Sequence, residues 1–109
     1  MSICVRDVDE AVAFYTDVLG LTIAPRPDAL GDGKWLDAGG GQVHLLASDE
    51  PRSQRDHFAL QVDDVDACVS DIEGKGVKVL RIDLIAPGVG HQAFLNDPSG
   101  NLIELNEPD

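Results

Sequence analysis

The sequence predicts an α+β fold made of two tandem βαβββ modules. Three observations carry this. The chain contains an internal repeat: Asp7-Val8-Asp9 returns as Asp64-Val65-Asp66, an offset of 57 (64 − 7). Within each copy the apolar residues follow a helical spacing between stretches with the period of strands. Each copy then closes on a Gly-containing turn between two apolar strands, Asp37-Ala38-Gly39-Gly40 in the first and Asp97-Pro98-Ser99-Gly100 in the second, an offset of 60 (97 − 37). Repeats of this length point to duplicated supersecondary units.

In the first copy, residues 2–6 alternate weakly and read as a strand. Asp7 or Asp9 caps the following helix, and acids in its first turn suit the helix dipole. Ala11, Phe14, Tyr15, Val18 and Leu19 form one apolar stripe and read as core, and Gly20 stops the helix. Residues 21–24, 34–36 and 42–46 read as three more strands, the first two separated by a Pro- and Gly-rich loop. Residues 48–56 are polar and contain Pro51, the composition of a linker.

The second copy repeats the order. Residues 57–62 read as a strand, and Asp63-Asp64 opens a helix whose stripe is Val65, Cys68, Val69 and Ile72. Gly74 and Gly76 end it, residues 77–81 read as a strand, and residues 83–90 read as a loop. The chain closes on a hairpin. Asp97-Pro98-Ser99-Gly100 has type I turn chemistry: Asp bonds its own backbone, Pro presets φ, and Gly relaxes the exit. In the last strand Leu102 and Glu104 share one face, and Ile103 and Leu105 the other. The expected organisation is one domain, with module one at 1–47, the linker at 48–56 and module two at 57–109. Each module is about 50 residues, too few to hold a good core alone, so the two are expected to pack on one another or across a homodimer.

The chain has 109 residues and a formal charge of −12, from 20 acidic and 8 basic residues. This argues against a nucleic-acid or anionic-membrane partner, because both need a positive footprint. An anionic substrate would need a metal or one of Arg6, Arg26, Arg52, Arg55 and Arg81. No apolar run reaches spanning length, and no leader pattern is present. Cys4 and Cys68 give no disulfide framework and read as free thiols, the expectation for a cytoplasmic protein.

The repeat gives three residues functional weight. His44 and Glu104 are counterparts on the last strand of each half, and His57 opens the second half. The counterpart of His57 is position 0 (57 − 57), before Met1. A carboxylate within an apolar strand is costly to bury without a partner. Two imidazoles and a carboxylate are a common donor set for a divalent first-row metal with open positions. Without the repeat the signal is weak, because spacings of 13 (57 − 44) and 47 (104 − 57) form no local metal motif. If the two halves form concave sheets, His44, His57 and Glu104 converge in one cavity, which Cys4, Gln42 and Gln61 would line and where His91 would contact a substrate.

The chain resembles the vicinal oxygen chelate superfamily, which includes glyoxalase I, methylmalonyl-CoA epimerase, extradiol dioxygenases, and fosfomycin- and bleomycin-resistance proteins. The resemblance rests on DVDEAVAFYTDVLGL at 7–21, GQVHLL at 41–46, HFALQVDDVD at 57–66 and DPSGNLIEL at 97–105. It implies two βαβββ modules forming a curved mixed sheet around a metal and substrate cavity. It also implies metal ligands at His44, His57 and Glu104, with a further ligand-type residue at position 0, so the first strand is expected to begin upstream of Met1. Members with three ligands omit the position of His44, so its presence favours the four-ligand glyoxalase and epimerase type. The implied activity is a lyase or isomerase step on a small vicinal-oxygen substrate through an enediolate. The implied cofactor is Zn, Ni, Co, Mn or Fe, with Glu104 as the base. The same resemblance allows an extradiol-type dioxygenase, or a metal-free antibiotic-binding or resistance protein.

Overall fold

The structure, a computed structural model, describes residues 1–50, 56–82 and 91–108. It has two compact units, Met1–Gln54 with Asp97–Asn101, and Arg55–Asn96 with Leu102–Asp109. The expected linker and the loop at 83–90 fall largely or wholly outside the described residues.

In the first unit the strands are β1 (Ser2–Val5), β2 (Thr22–Ala24), β3 (Gly33–Asp37) and β4 (Gln42–Ala47), in the sheet order β1-β4-β3-β2. Strand β1 runs parallel to β4, and the other pairs are antiparallel. Helix α1 (Val8–Ala13) makes the crossover between β1 and β2. In the second unit β5 (His57–Gln61), β6 (Leu80–Ile82), β7 (His91–Asn96) and β8 (Leu102–Glu107) take the order β5-β8-β7-β6, with α2 (Val65–Gly74) as crossover. These are the two βαβββ modules expected.

The repeat extends to register. Ser2 pairs with His44 as Ala59 pairs with Glu104, and Trp35 faces His44 as Phe94 faces Glu104. Even the caps repeat: Asp7 Oδ1 accepts the Glu10 N–H and Asp64 Oδ1 the Ala67 N–H, both at 3.0 Å.

Period 2 divides each sheet into two faces. In the first, Val5, Leu36, Val43 and Leu45 are buried on the face covered by α1. In the second, Phe58, Ala93, Leu95, Ile103 and Leu105 are buried on the face covered by α2, which supplies Val65, Val69 and Ile72. The opposite faces carry Cys4, Trp35, Gln42 and His44 in one unit, and His57, Gln92, Phe94 and Glu104 in the other.

Two elements differ from the sequence expectation. The first helix does not stay α to Leu19; from Phe14–Val18 it widens into a π-helix. The Thr16 hydroxyl donates to the Val12 carbonyl at 2.8 Å, beside the backbone ladder, and such back-bonding loosens a helical turn. The wide turn lets adjacent Phe14 and Tyr15 both be buried, with their rings edge to face at 5.3 Å. Strand β6 starts at Leu80 rather than Val77, because the Val77 N–H still bonds back to the Ile72 carbonyl.

The turn at Asp97 is built as its chemistry predicts. The Gly100 N–H bonds to the Asp97 carbonyl at 3.0 Å, and Asp97 Oδ1 accepts the N–H groups of Ser99 and Asn101. Asp97 Oδ2 also accepts the Tyr15 hydroxyl, 2.9 Å away, and the Asn101 side-chain amide. Asn101 reaches the Cys4 carbonyl, and Ser99 Oγ accepts the Arg6 N–H. These bonds make residues 97–101 part of the first unit.

Candidate metal and substrate site

Strand pairing sets His57 beside Glu104. In the parallel β5–β8 pair, Glu104 lies opposite Ala59. A methyl group there leaves the space above it to the diagonal neighbour, His57. His57 Nε2 stands 3.1 Å from Glu104 Oε1, with the side chains 34% and 12% exposed. The edge of the Phe94 ring packs against the imidazole at 5.6 Å. From β7, Gln92 donates its amide N–H to Glu104 Oε2 at 3.2 Å.

The pair fits a divalent ion. Donors about 2.0–2.2 Å from a shared ion stand about 3 Å apart on an octahedral edge and about 3.4 Å apart on a tetrahedral one. The observed 3.1 Å falls in that range. One imidazole and one carboxylate are donors that first-row metals accept. Among the described residues no group of three or more His, Cys, Asp or Glu side chains forms a complete metal-holding cluster.

His44, in the first unit, sits in a different setting. The Trp35 ring lies parallel to its imidazole, with centroids 4.4 Å apart and planes 9° apart. Its Nε2 is 3.0 Å from Gln42 Oε1, and Gln42 Nε2 donates to Asp37 Oδ1 at 3.3 Å. The carboxylate of Asp37 accepts and does not donate, so Gln42 turns its NH2 to Asp37 and its oxygen to His44. His44 Nε2 is therefore the donor in this contact and Gln42 Oε1 the acceptor.

The weaker candidates separate. Cys4 and Gln42 lie on the same sheet face as His44, and Gln61 on the same face as His57 and Glu104. His91 does not: it alternates with Ala93 and Leu95 and lies on the helix-covered face, opposite Glu107. Its neighbour Gln92 is the residue that reaches Glu104. The alternation of Gln92, Phe94 and Asn96 with buried Ala93 and Leu95 was the signal that would have selected it. Among the arginines, Arg26 is tied to the carbonyls of Leu30 and Gly31, Arg6 to that of Pro98, and Arg81 to Asp66. Arg52 and Arg55 lie outside the described residues.

Burial raises the pKa of two groups. Tyr15 is pushed far above the ordinary tyrosine range, first by burial, then by the charge and hydrogen bond of Asp97. The Cys68 thiol is raised by burial and by Asp71, with Lys75 opposing. Both cysteines are free.

A fold of two βαβββ modules carrying a His–Glu pair on the face away from the helix defines a glyoxalase-like chain. The family model Glyoxalase/Bleomycin resistance protein/Dioxygenase superfamily matches residues 1–105, and the chain belongs to that superfamily. It is 30% identical to Glyoxylase I 4 of Arabidopsis thaliana, over 96% of this chain and 67% of that protein. It is also 30% identical to a protein named probable lactoylglutathione lyase from Vibrio parahaemolyticus, over 93% of this chain and 83% of that one. Among solved structures, TnmS3, an antibiotic binding protein from Streptomyces, superposes with a TM-score of 0.80 at 29% identity, covering 100% of this chain and 93% of that one. No helix among the described residues is long and apolar enough to cross a membrane.

Proposed function

We propose that the chain is a metal-dependent lyase or isomerase of the glyoxalase branch, acting on a small substrate with two neighbouring oxygens. The observation that carries this reading is the His57–Glu104 pair, whose donor atoms are spaced as two ligands of one ion. His57 Nε2 and Glu104 Oε1 would hold a divalent ion, Zn, Ni, Co, Mn or Fe. Such an ion supplies the positive charge that makes a carbon beside two oxygens easier to deprotonate. Glu104, on leaving the ion, would be the base that takes this proton and returns it to the neighbouring carbon. Phe94 packs edge-on against the His57 imidazole. The relatives named for glyoxalase and lactoylglutathione lyase support this choice of reaction class.

The test is metal content. The chain, and a form extended upstream of Met1, are loaded in turn with the five metals and analysed for elemental composition. About one ion per subunit, lost in His57→Ala, is the expected result. Full occupancy in His57→Ala would show the ligand assignment to be wrong. Hemithioacetal isomerisation then tests the reaction, and iron-dependent oxygen uptake with catechols tests the dioxygenase alternative.

A second reading, a metal-free antibiotic-binding or resistance protein, is favoured by the Trp35–His44 stack, which a planar ligand would extend by one more ring, and by the antibiotic binding relative. Under it, no form of the chain takes up metal, and His57→Ala leaves ligand binding nearly intact. We also propose a cytoplasmic homodimer. Ile23 on β2 and Leu80 on β6, 57% and 65% exposed, sit on the edge strands of the two sheets, where a second copy would cover them. Sedimentation as a monomer at micromolar concentration would exclude it.

A further inference from the structure

We infer that Gln92 is a positioning residue for the metal pair, holding Glu104 Oε2 so that Oε1 alone faces His57. This rests on the proposed metal role of His57 and Glu104. The two oxygens of Glu104 have different partners. Oε1 faces the imidazole of His57 on β5, and Oε2 accepts from the Gln92 amide on β7. Glu104 thus lies between two neighbouring strands that pull its oxygens in opposite directions across β8.

The direction of the Gln92 amide follows from chemistry. A carboxylate only accepts, so the NH2 end meets Oε2 and the amide oxygen turns away. The end torsion of a glutamate is broad and nearly two-fold, so a carboxylate held at one oxygen exchanges its oxygens freely. Gln92 removes that freedom. With the side chain only 12% exposed, water is a poor substitute donor, and losing the amide leaves Oε2 short of a partner. The expected consequence is monodentate ligation by Glu104, which keeps ligand positions open for the two oxygens of a substrate. Partners of this kind typically set metal affinity by 10–100-fold.

Phe94 explains why Gln92 can reach. Phe94 is the residue directly opposite Glu104, and its ring turns toward His57, so the diagonal position on β7 falls to Gln92. The first module has no equivalent. There the residue aligned with Gln92 is Gly33, and an amide from β4 itself, Gln42, meets the imidazole instead.

The experiment is a competitive Co(II) and Zn(II) titration of the full chain and of Gln92→Met and Gln92→Asn, with thermal melts of the metal-free proteins. Methionine keeps the length and removes the donor. Asparagine keeps the amide and withdraws it by about 1.5 Å. Both variants are expected to bind metal about 10–100-fold more weakly. Both should also alter the visible Co(II) band as the freed carboxylate changes its mode, with a lowered apo Tm but a cooperative melt showing that the fold is kept. If either folded variant matches the wild-type Kd and Co(II) spectrum, the inference is overturned while the metal reading stands. A wild-type chain that takes up no metal overturns both.

Discussion

Tyr15 should stay protonated for as long as the chain stays folded. Its ring is fully buried, and its hydroxyl donates to Asp97 Oδ2 at 2.9 Å. Ionising it would place a second negative charge against that carboxylate, away from water. The folded-state pKa is therefore raised above the unfolded value of about 10. The linkage sign follows. Below pH 10 both states hold the proton and the tyrosine adds no slope. Above it the unfolded state loses its proton while the folded state keeps it, so stability falls as pH rises. At about 1.36 kcal/mol per pH unit, the loss reaches about 1.4 kcal/mol at pH 11 and about 2.7 kcal/mol at pH 12. Against a typical 5–15 kcal/mol this is a large fraction. Because Tyr15 is the sole tyrosine in the chain, tyrosinate absorbance reports it alone. The absorbance should rise only together with loss of the far-ultraviolet circular dichroism. In Tyr15→Phe the extra alkaline slope should disappear, while neutral-pH stability falls by about 1.5–3 kcal/mol for a bond to a charged group. Ionisation with a midpoint near pH 10 in a protein of unchanged circular dichroism would refute the reasoning.

Three further outcomes are expected. Gly33→Ala should lower Tm by an amount equivalent to about 1–3 kcal/mol, because an added Cβ would lie 2.5 Å from the Leu45 carbonyl oxygen and close to the Arg26 guanidinium. Cys68 should react with iodoacetamide more slowly than an unfolded thiol at a pH of about 8, since its raised pKa lowers the thiolate fraction, and urea should restore the rate. Asp64→Ala should cost about 1 kcal/mol in chemical denaturation by removing the cap on the Ala67 N–H, whereas Asp64→Asn should retain most of it.

What the sequence made legible was local chemistry repeated at a fixed offset. Asp7 or Asp9, and Asp63-Asp64, read as helix starts because a short carboxylate serves an orphan N–H there, and the structure selects Asp7 and Asp64 as the caps. The turn at Asp97 read as a turn because Asp, Pro and Gly each act within four residues. The structure adds what depends on residues far apart. Tyr15 reads from its spacing as apolar core, yet its hydroxyl meets Asp97, 82 positions away. The π-helix at Phe14–Val18 shows in backbone bonds such as the Leu19 N–H to the Phe14 carbonyl, which side-chain periodicity does not report. In β7 the residue that looks chemical, His91, faces the helix, and the plain amide beside it faces Glu104. A strand converts a one-residue difference into a change of face, so residue type alone misleads there.

The duplication also explains why the two modules carry unequal chemistry on equal backbones. Register places Ser2 against His44 and Ala59 against Glu104, so the two strand pairs offer the same positions. What differs is the group that meets each imidazole. His57 faces a carboxylate whose other oxygen is held by an amide. His44 faces an amide oxygen that is itself fixed by Asp37, and a carbonyl oxygen of that kind keeps a proton on Nε2. A duplicated fold can reach that asymmetry by changing single side chains at matched positions, with no change in strand order.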